Sequence, residues 1–123
     1  MSETRLIILA EDELLIATVL KKQLESNGFH VLHVVDAEPL LNLLAQHQPA
    51  ALILDCQLKT SNGIEAVRKI RQSGSEIPVI ITTGNAMQQA EDEVRNILNC
   101  RVLIKPVMFA AILDALSNLG VNA

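Results

Sequence analysis

The sequence predicts an α/β fold in which a doubly wound, five-stranded parallel sheet carries helices on both faces. The first observation is a regular alternation. Short apolar runs of strand length are separated by longer segments with helical spacing, five times along the chain. The second observation is that the apolar runs are almost continuous, as in strands that are buried on both faces of a parallel sheet.

The predicted strands are short, and several are rich in isoleucine and valine. They cover residues 6–10, 31–35, 51–54, 79–82 and 101–104. The predicted helices fill the intervals and follow the last strand, over residues 13–26, 37–46, 64–72, 87–98 and 109–119. In the first helix, Leu14, Ala17, Leu20 and Leu24 share one face. That helix stops at Asn27-Gly28, a typical C-terminal signal.

Right-handed crossovers leave few topologies for such a chain. The flavodoxin-like strand order 2-1-3-4-5 fits five strands and a length of 123 residues. We therefore expect a single domain over residues 1–123, with no output domain visible. Ligands of such sheets bind at the carboxyl ends of the strands, near the point where the strand order reverses.

The composition argues against several classes of function. Half of the residues are hydrophobic and 20% are charged, which allows a folded core. A net charge of −4 without a basic run argues against nucleic-acid binding. No apolar stretch approaches the ~20 residues of a membrane span, and the N-terminus lacks a signal-peptide core. We expect a cytoplasmic chain without membrane contact, in which Cys56 and Cys100 are reduced thiols.

Polar side chains follow four of the predicted strands at their carboxyl ends. Glu11 and Asp12 follow the first strand, Asp55 the third, Thr83 the fourth and Lys105 the fifth. Each of the acidic and hydroxyl residues, taken alone, is explained as a turn or cap residue. Their joint arrangement at neighbouring strand exits is what indicates a site.

This set of side chains suits phosphoryl transfer. Three carboxylates in one place repel one another, and a hard divalent cation such as Mg²⁺ removes that cost. A carboxylate such as Asp55 is also able to attack phosphorus and form an aspartyl phosphate. The metal, the Lys105 ammonium and the Thr83 hydroxyl would then neutralise charge on the phosphoryl group.

At these residues the sequence resembles the receiver domain of two-component response regulators. The resemblance is carried by "LIILAEDE", "LILDCQLKTSNGIEAVRKIR", "IPVIITTGNA" and "VLIKPV", in that order and at suitable intervals. It covers essentially the whole chain. The forms "TTGNA" and "VLIKPV" look more like receivers of hybrid histidine kinases, or their free-standing relatives, than like transcription-factor receivers.

The resemblance implies a role for each matching residue. Asp55 would be the phosphoacceptor. Mg²⁺ (or Mn²⁺) would be held by Glu11, Asp12, Asp55 and the backbone carbonyl of Gln57, with Asp12 the more direct ligand of the acidic pair. Gln57 and Asn85 would flank the site, where the family tunes its autodephosphorylation.

The resemblance also covers the switch residues. Thr83 is expected to reorient toward the phosphoryl group, and Lys105 to pair first with Asp55 and then with a phosphoryl oxygen. Pro106 matches a proline whose preceding peptide bond is commonly cis, and Gly63 matches the glycine that opens the third helix. Val102 departs from the family, which usually has Tyr or Phe at that position. Lys59 and Gly84 are smaller departures, where a proline and an alanine or serine are usual.

The resemblance implies a phosphorylation-controlled switch of a protein-interaction surface. A histidine kinase or phosphotransfer protein would be the donor. The signal would pass to a downstream protein or fused domain that the sequence does not identify. The chain would be no enzyme beyond its own phosphotransfer and autodephosphorylation. A degenerate receiver that binds partners without phosphorylation is the main alternative.

Two further classes are weaker alternatives. A haloacid-dehalogenase-type phosphatase needs Asp-x-Asp after its first strand, whereas Asp55-Cys56-Gln57 follows the third and lacks the second aspartate. A flavodoxin-like cofactor binder needs a phosphate-cradling loop after the first strand. There the carboxylates of Glu11 and Asp12 would repel a phosphate.

Overall fold

The computed structural model describes residues 3–84 and 87–123. Its five strands form one parallel sheet in the order β2-β1-β3-β4-β5, and a helix follows each strand along the chain. The predicted fold class and strand order are therefore confirmed. Within the described residues, no helix is long and apolar enough to cross a membrane.

The strands lie within three residues of their predicted bounds. They are β1 (Glu3–Ala10), β2 (His30–Val34), β3 (Pro49–Asp55), β4 (Val79–Thr83) and β5 (Cys100–Ile104). The helices are α1 (Leu14–Ser26), α2 (Ala37–Leu44), α3 (Gly63–Gln72), α4 (Met87–Val94) and α5 (Phe109–Asn118). Helix α4 ends at Val94, four residues earlier than predicted, and residues 95–99 form turns that lead to β5, with Asn99 at a φ of 55°.

The core forms one layer on each face of the sheet. Successive strand residues point to opposite faces, so that Ile7 and Ile8 are both fully buried but belong to different layers. One layer is completed by α3, whose Ile64, Val67 and Ile70 are buried as its spacing predicts. This burial makes the sheet a rigid support for the loops at its carboxyl edge.

Helix α1 buries less of its predicted apolar face. Ala17 and Leu24 are buried, but the side chain of Leu14 is 67% exposed. The first turn of α1 begins just past the carboxyl edge of the sheet, where no strand continues beneath it. The spacing therefore predicted the helix correctly but overstated how much of it is buried.

Candidate functional site

Two carboxylates and one ammonium group meet at the carboxyl edge of the sheet. The Lys105 Nζ lies 2.6 Å from Asp55 Oδ2 and 3.0 Å from Glu11 Oε1. Glu11 and Asp55 are nearly buried, with exposed fractions of 3% and 7%. Among the described residues they are the only buried acidic side chains, so this pairing is the charged centre of the molecule.

The strand register brings these residues together. In the sheet, Ala10 pairs with Leu54 and Asp55 pairs with Thr82, so β1 and β3 end side by side. The backbone N–H of Lys105 donates to the carbonyl of Thr83 at 2.7 Å, which places the lysine just past the end of β5. The sequence prediction that these strand exits converge is consistent with this geometry.

The acidic cluster has the composition of a site for a hard divalent cation. Glu11, Asp12 and Asp55 each offer a carboxylate oxygen, and these oxygens all lie within 4.8 Å of one another. Asp12 is exposed, whereas its two neighbours are buried, so a cation would meet one exposed and two buried ligands. Oxygen donors at this spacing fit Mg²⁺, which accepts carboxylates and keeps several waters.

Electrostatics link the acidic pair to Lys105. Burial raises the pKa of Glu11, and hydrogen bonds from Lys105 and from the Glu13 backbone oppose that rise. Burial alone would lower the pKa of Lys105, but its hydrogen bonds to Asp55 and Glu11 raise the pKa overall. The lysine therefore remains charged and supplies the positive charge that the carboxylates need.

The β1–α1 turn, residues 11–13, contains contacts that the sequence did not reveal. Glu13 places Oε1 3.8 Å from Lys105 Nζ, which makes it a third, more exposed acidic neighbour of the lysine. The His33 ring, on β2, bonds the backbone carbonyl of Glu11 through Nε2 at 2.7 Å. The triplet "EDE" could have suggested Glu13, whereas nothing in the sequence pattern distinguishes His33 from any other strand residue.

The β3–α3 loop, residues 56–62, fixes the other side of the site. The backbone N–H of Gln57 donates to Asp55 Oδ1 at 3.0 Å, which orients the carboxylate directly. Asn62 caps α3, because its Oδ1 accepts from the backbone N–H groups of Ile64 and Glu65. Gln57 lies in the predicted position beside Asp55, and its assignment as a carbonyl ligand stays a prediction.

A small cleft of about 240 Å³ opens beside Asp55 on the side of β4. Thr83, which is 5% exposed, and Gly84, which is exposed, line it together with Cys56. Burial, together with the nearby Glu93 and Asp55 carboxylates, raises the pKa of the Cys56 thiol. The thiol is therefore no better a nucleophile than an ordinary cysteine.

Several other sequence predictions fall at this edge. The peptide bond between Lys105 and Pro106 is cis, as the resemblance implied. Val102 is half-buried and packs against the core layer that contains α3 and α4. Asn85 lies outside the described residues.

Comparison with known proteins identifies the family. The family model for the response regulator receiver domain matches residues 7–117, which is most of the chain. The response regulator MprA of Mycobacterium sp. (strain KMS) is 29% identical over 77 residues, covering 63% of this chain and 34% of that protein. The match thus spans about a third of the length of that curated relative.

Solved structures agree with this result. The receiver domain of the sensor histidine kinase PA1611 from Pseudomonas aeruginosa PAO1, solved with a magnesium ion coordinated in its active site cleft, is 28% identical. It matches with a TM-score of 0.81 over 94% of this chain and 98% of that one. A CheY-like receiver from Methanospirillum hungatei JF-1 shares the fold, with a TM-score of 0.85 at 21% identity over 96% of this chain and 95% of that one. The chain belongs to the response regulator receiver domain family.

Proposed function

We propose that this receiver domain is a phosphorylation switch in which Asp55 accepts a phosphoryl group from a phosphohistidine. The donor is a histidine kinase or a phosphotransfer protein. The observation that carries the proposal is the position of the Asp55 carboxylate. One of its oxygens is held by the Gln57 N–H, the other is paired with Lys105, and the carboxylate belongs to an acidic cluster with Glu11 and Asp12.

The transfer requires one bond to form and one to break. A carboxylate oxygen of Asp55 attacks phosphorus, the P–N bond to the donor imidazole breaks, and its electron pair returns to the ring nitrogen. Glu11, Asp12, Asp55 and the Gln57 carbonyl would hold Mg²⁺ or Mn²⁺, which supplies positive charge to the phosphoryl oxygens when it is bound. This is consistent with the relative that has magnesium in its cleft.

The chain's own residues supply the remaining charge. Lys105 is charged and already contacts Asp55, so a short movement takes its ammonium from the carboxylate to a phosphoryl oxygen. Thr83 lines the same cleft as Asp55, and its hydroxyl is the donor that would turn toward the phosphoryl group. The local change of charge would then shift the surface formed by β4 and α4. The chain has no catalytic role in this proposal beyond its own phosphotransfer and autodephosphorylation.

An exposed apolar surface next to the site favours a protein donor. Leu14, Leu15, Val19 and Met108 are 67%, 78%, 49% and 73% exposed. An apolar cleft of about 270 Å³ runs from α1 to Asp55 and Lys105. Exposed apolar patches of this kind mark protein contacts. A donor helix that covers them would bring its phosphohistidine to Asp55.

The proposed setting is the cytoplasm, and the proposed output is a downstream protein or a fused domain.

The degenerate receiver remains the second candidate, because Val102 cannot act as the aromatic switch that the family commonly uses. It differs from the first proposal in one respect that is easy to measure. A degenerate receiver gains no phosphoryl group and shows no Mg²⁺-dependent change.

Intact-protein mass spectrometry tests the proposal. The protein is incubated with a small phosphodonor, with and without Mg²⁺, beside Asp55→Asn. We expect a Mg²⁺-dependent gain of one phosphoryl group in the wild type and none in the variant. Stoichiometric labelling of Asp55→Asn at an acyl phosphate would contradict the acceptor assignment. If the wild type gains nothing, a beryllofluoride titration separates rapid loss of the group, in which case the complex forms, from a degenerate site, in which case it does not.

A further inference from the structure

The His33 side chain bridges β2 and the acidic turn that follows β1. Its Nε2 lies 2.7 Å from the backbone carbonyl oxygen of Glu11, although the two residues are 22 positions apart in sequence. The ring is half-buried, and β2 is an edge strand of the sheet. A carbonyl oxygen only accepts hydrogen bonds, so Nε2 must carry the proton. The bond is therefore a donation from the histidine to the turn.

The contact lies at the point where the backbone pairing of β1 with β2 ends. The pairing of β1 with β2 ends at Ala10 and Val34, and the Glu11 N–H still donates to the Val34 carbonyl at 3.0 Å. In a continued ladder the next backbone N–H of β2 would bond the Glu11 carbonyl. At this position the His33 ring is the donor instead. The hydrogen bonds between β2 and this segment therefore continue for one more peptide group, the one that joins Glu11 to Asp12.

That peptide group determines the direction in which Asp12 leaves the turn. The carbonyl of Glu11 and the N–H of Asp12 belong to one planar unit, so a bond to the first fixes the plane of the second. Within residues 3–84 and 87–123, no hydrogen bond or ion pair holds the Asp12 carboxylate. The backbone N–H of Glu13 donates to Glu11 Oε2 at 3.2 Å and also restrains the turn, but it does not bond the Asp12 carboxylate. Glu13, the N-cap residue of α1, makes no side-chain cap bond. Backbone geometry alone positions Asp12.

We propose that His33 is a positioning residue for the divalent cation, acting through the Glu11 carbonyl to hold the Asp12 carboxylate in register with Asp55. The proposal rests on the proposed function, because it assigns a task to the metal site of that function. Partners that orient a ligand without touching the metal commonly change metal affinity by about 10- to 100-fold. We expect the lower end, about tenfold, because His33 bonds the backbone and not a ligand oxygen.

The test compares Mg²⁺ affinity among histidine variants in the absence of any phosphodonor. His33→Leu and His33→Val remove the donor, whereas His33→Gln keeps an N–H at a similar reach. His30→Leu is the matched control, since His30 is an exposed histidine on the same strand. The chain has no Trp or Tyr, so the titration is followed by amide NMR with MgCl₂ and not by intrinsic fluorescence.

We expect the dissociation constant for Mg²⁺ to rise about tenfold in His33→Leu and His33→Val and to return close to the wild-type value in His33→Gln. We also expect the Asp12 amide resonance of the metal-free protein to move in the two non-donor variants and to stay in place in His30→Leu. The two non-donor variants differ in size, so a packing defect in one is recognised from the other. Their amide spectra report directly whether each is folded.

Wild-type affinity in a folded non-donor variant would overturn the role of His33, and so would a glutamine variant as weak as the leucine one. Either result would leave the proposed function intact, because the wild type would still bind Mg²⁺. A wild type that binds no Mg²⁺ would overturn the metal-dependent function and this inference with it. The two failures are thus distinguishable in one titration series.

Discussion

The two segments that carry the acidic residues of the site are held in different ways. The β3–α3 loop is fixed by many short contacts. Asp55 receives the Gln57 N–H, Asn62 caps α3, and the N–H of Gly63 donates to the Cys56 carbonyl at 2.8 Å. The β1–α1 turn has one local contact, from the Glu13 N–H to Glu11 Oε2 at 3.2 Å, and is otherwise held from other strands, through Lys105 and His33.

This difference matches what each segment must do in the proposed switch. Asp55 forms a covalent bond, so its direction must be set before the donor arrives, and local hydrogen bonds achieve that. Asp12 is exposed, and its carboxylate takes part only when a cation is bound. The β3–α3 loop that follows the acceptor residue Asp55, the acceptor loop, should therefore respond to substitution mainly through the stability of the fold. The acidic turn should respond mainly through metal binding.

The largest expected effect is that of Gly63→Ala, at the start of α3 and next to the acceptor loop. A Cβ at Gly63 would lie 2.2 Å from the Asp55 carbonyl oxygen, so one of the two backbone segments would have to shift. We expect a loss of about 3 kcal/mol in the free energy of unfolding, measured by chemical denaturation. Gly84→Ala is the matched control, because nothing lies within 4 Å of its added Cβ. Equal stability of the two variants would show that the acceptor loop is not held more firmly than the surrounding loops.

Lys105→Met tests the ion pairs that Lys105 makes with the buried carboxylates of Asp55 and Glu11. It removes the cation between Asp55 and Glu11, which leaves two buried carboxylates facing each other. We expect a loss of about 2 kcal/mol of stability without metal, as for lost hydrogen bonds between charged groups. Because the carboxylates then have no competing ammonium, Mg²⁺ should restore most of that loss and bind more tightly than in the wild type.

Thermal unfolding with and without Mg²⁺ measures both parts of the lysine prediction. Lys59→Met is the control, since Lys59 is an exposed lysine in the acceptor loop. A Lys105→Met protein whose stability is low and indifferent to Mg²⁺ would contradict the idea that lysine and metal share the same carboxylates.

Most of the fold could be predicted from the sequence because its signals are periodic and local. The buried strands are continuous apolar runs, and α3 repeats its apolar positions at helical spacing. The first turn of α1 shows the limit of this reasoning. Leu14 has the spacing of a core residue, yet it lies at the edge of the sheet with its side chain 67% exposed. Spacing identifies a face but not whether something covers it.

The site could be predicted only to the extent that strand ends determine it. Asp55 ends β3, and Glu11 and Lys105 directly follow β1 and β5, so the strand order brings them to the same edge of the sheet. The contact between His33 and Glu11 depends on a side chain that reaches from β2 to the end of the neighbouring β1. No pattern within one segment contains that information, because it arises from the register of β1 against β2.

Asn62→Ala gives a smaller effect in the acceptor loop. It removes the side chain that accepts from two backbone N–H groups at the start of α3. We expect a loss of about 1 kcal/mol of stability, the usual cost of a lost N-cap. Asn62→Asp keeps an acceptor oxygen and should retain most of the stability in the same denaturation experiment. A loss as large in the aspartate variant would mean that Asn62 acts through something other than capping.

The smallest expected effect is a pH dependence that ties the acceptor loop to α2. Hydrogen bonds from Ser61 and Thr60 lower the pKa of Asp36 from 3.8 to about 2. A carboxyl group with a lowered pKa in the folded state stabilises the fold above its unfolded pKa, and that contribution is lost as the pH falls through the folded value. We therefore expect the stability difference between the wild type and Asp36→Asn to be constant above about pH 5 and to shrink between about pH 4 and pH 2. Thermal unfolding across this range measures the difference, with Asp114→Asn, an exposed aspartate of α5, as the control. A difference that does not change with pH would mean that the charge on Asp36 plays no part in holding the acceptor loop, and that the loop depends on its other hydrogen bonds alone.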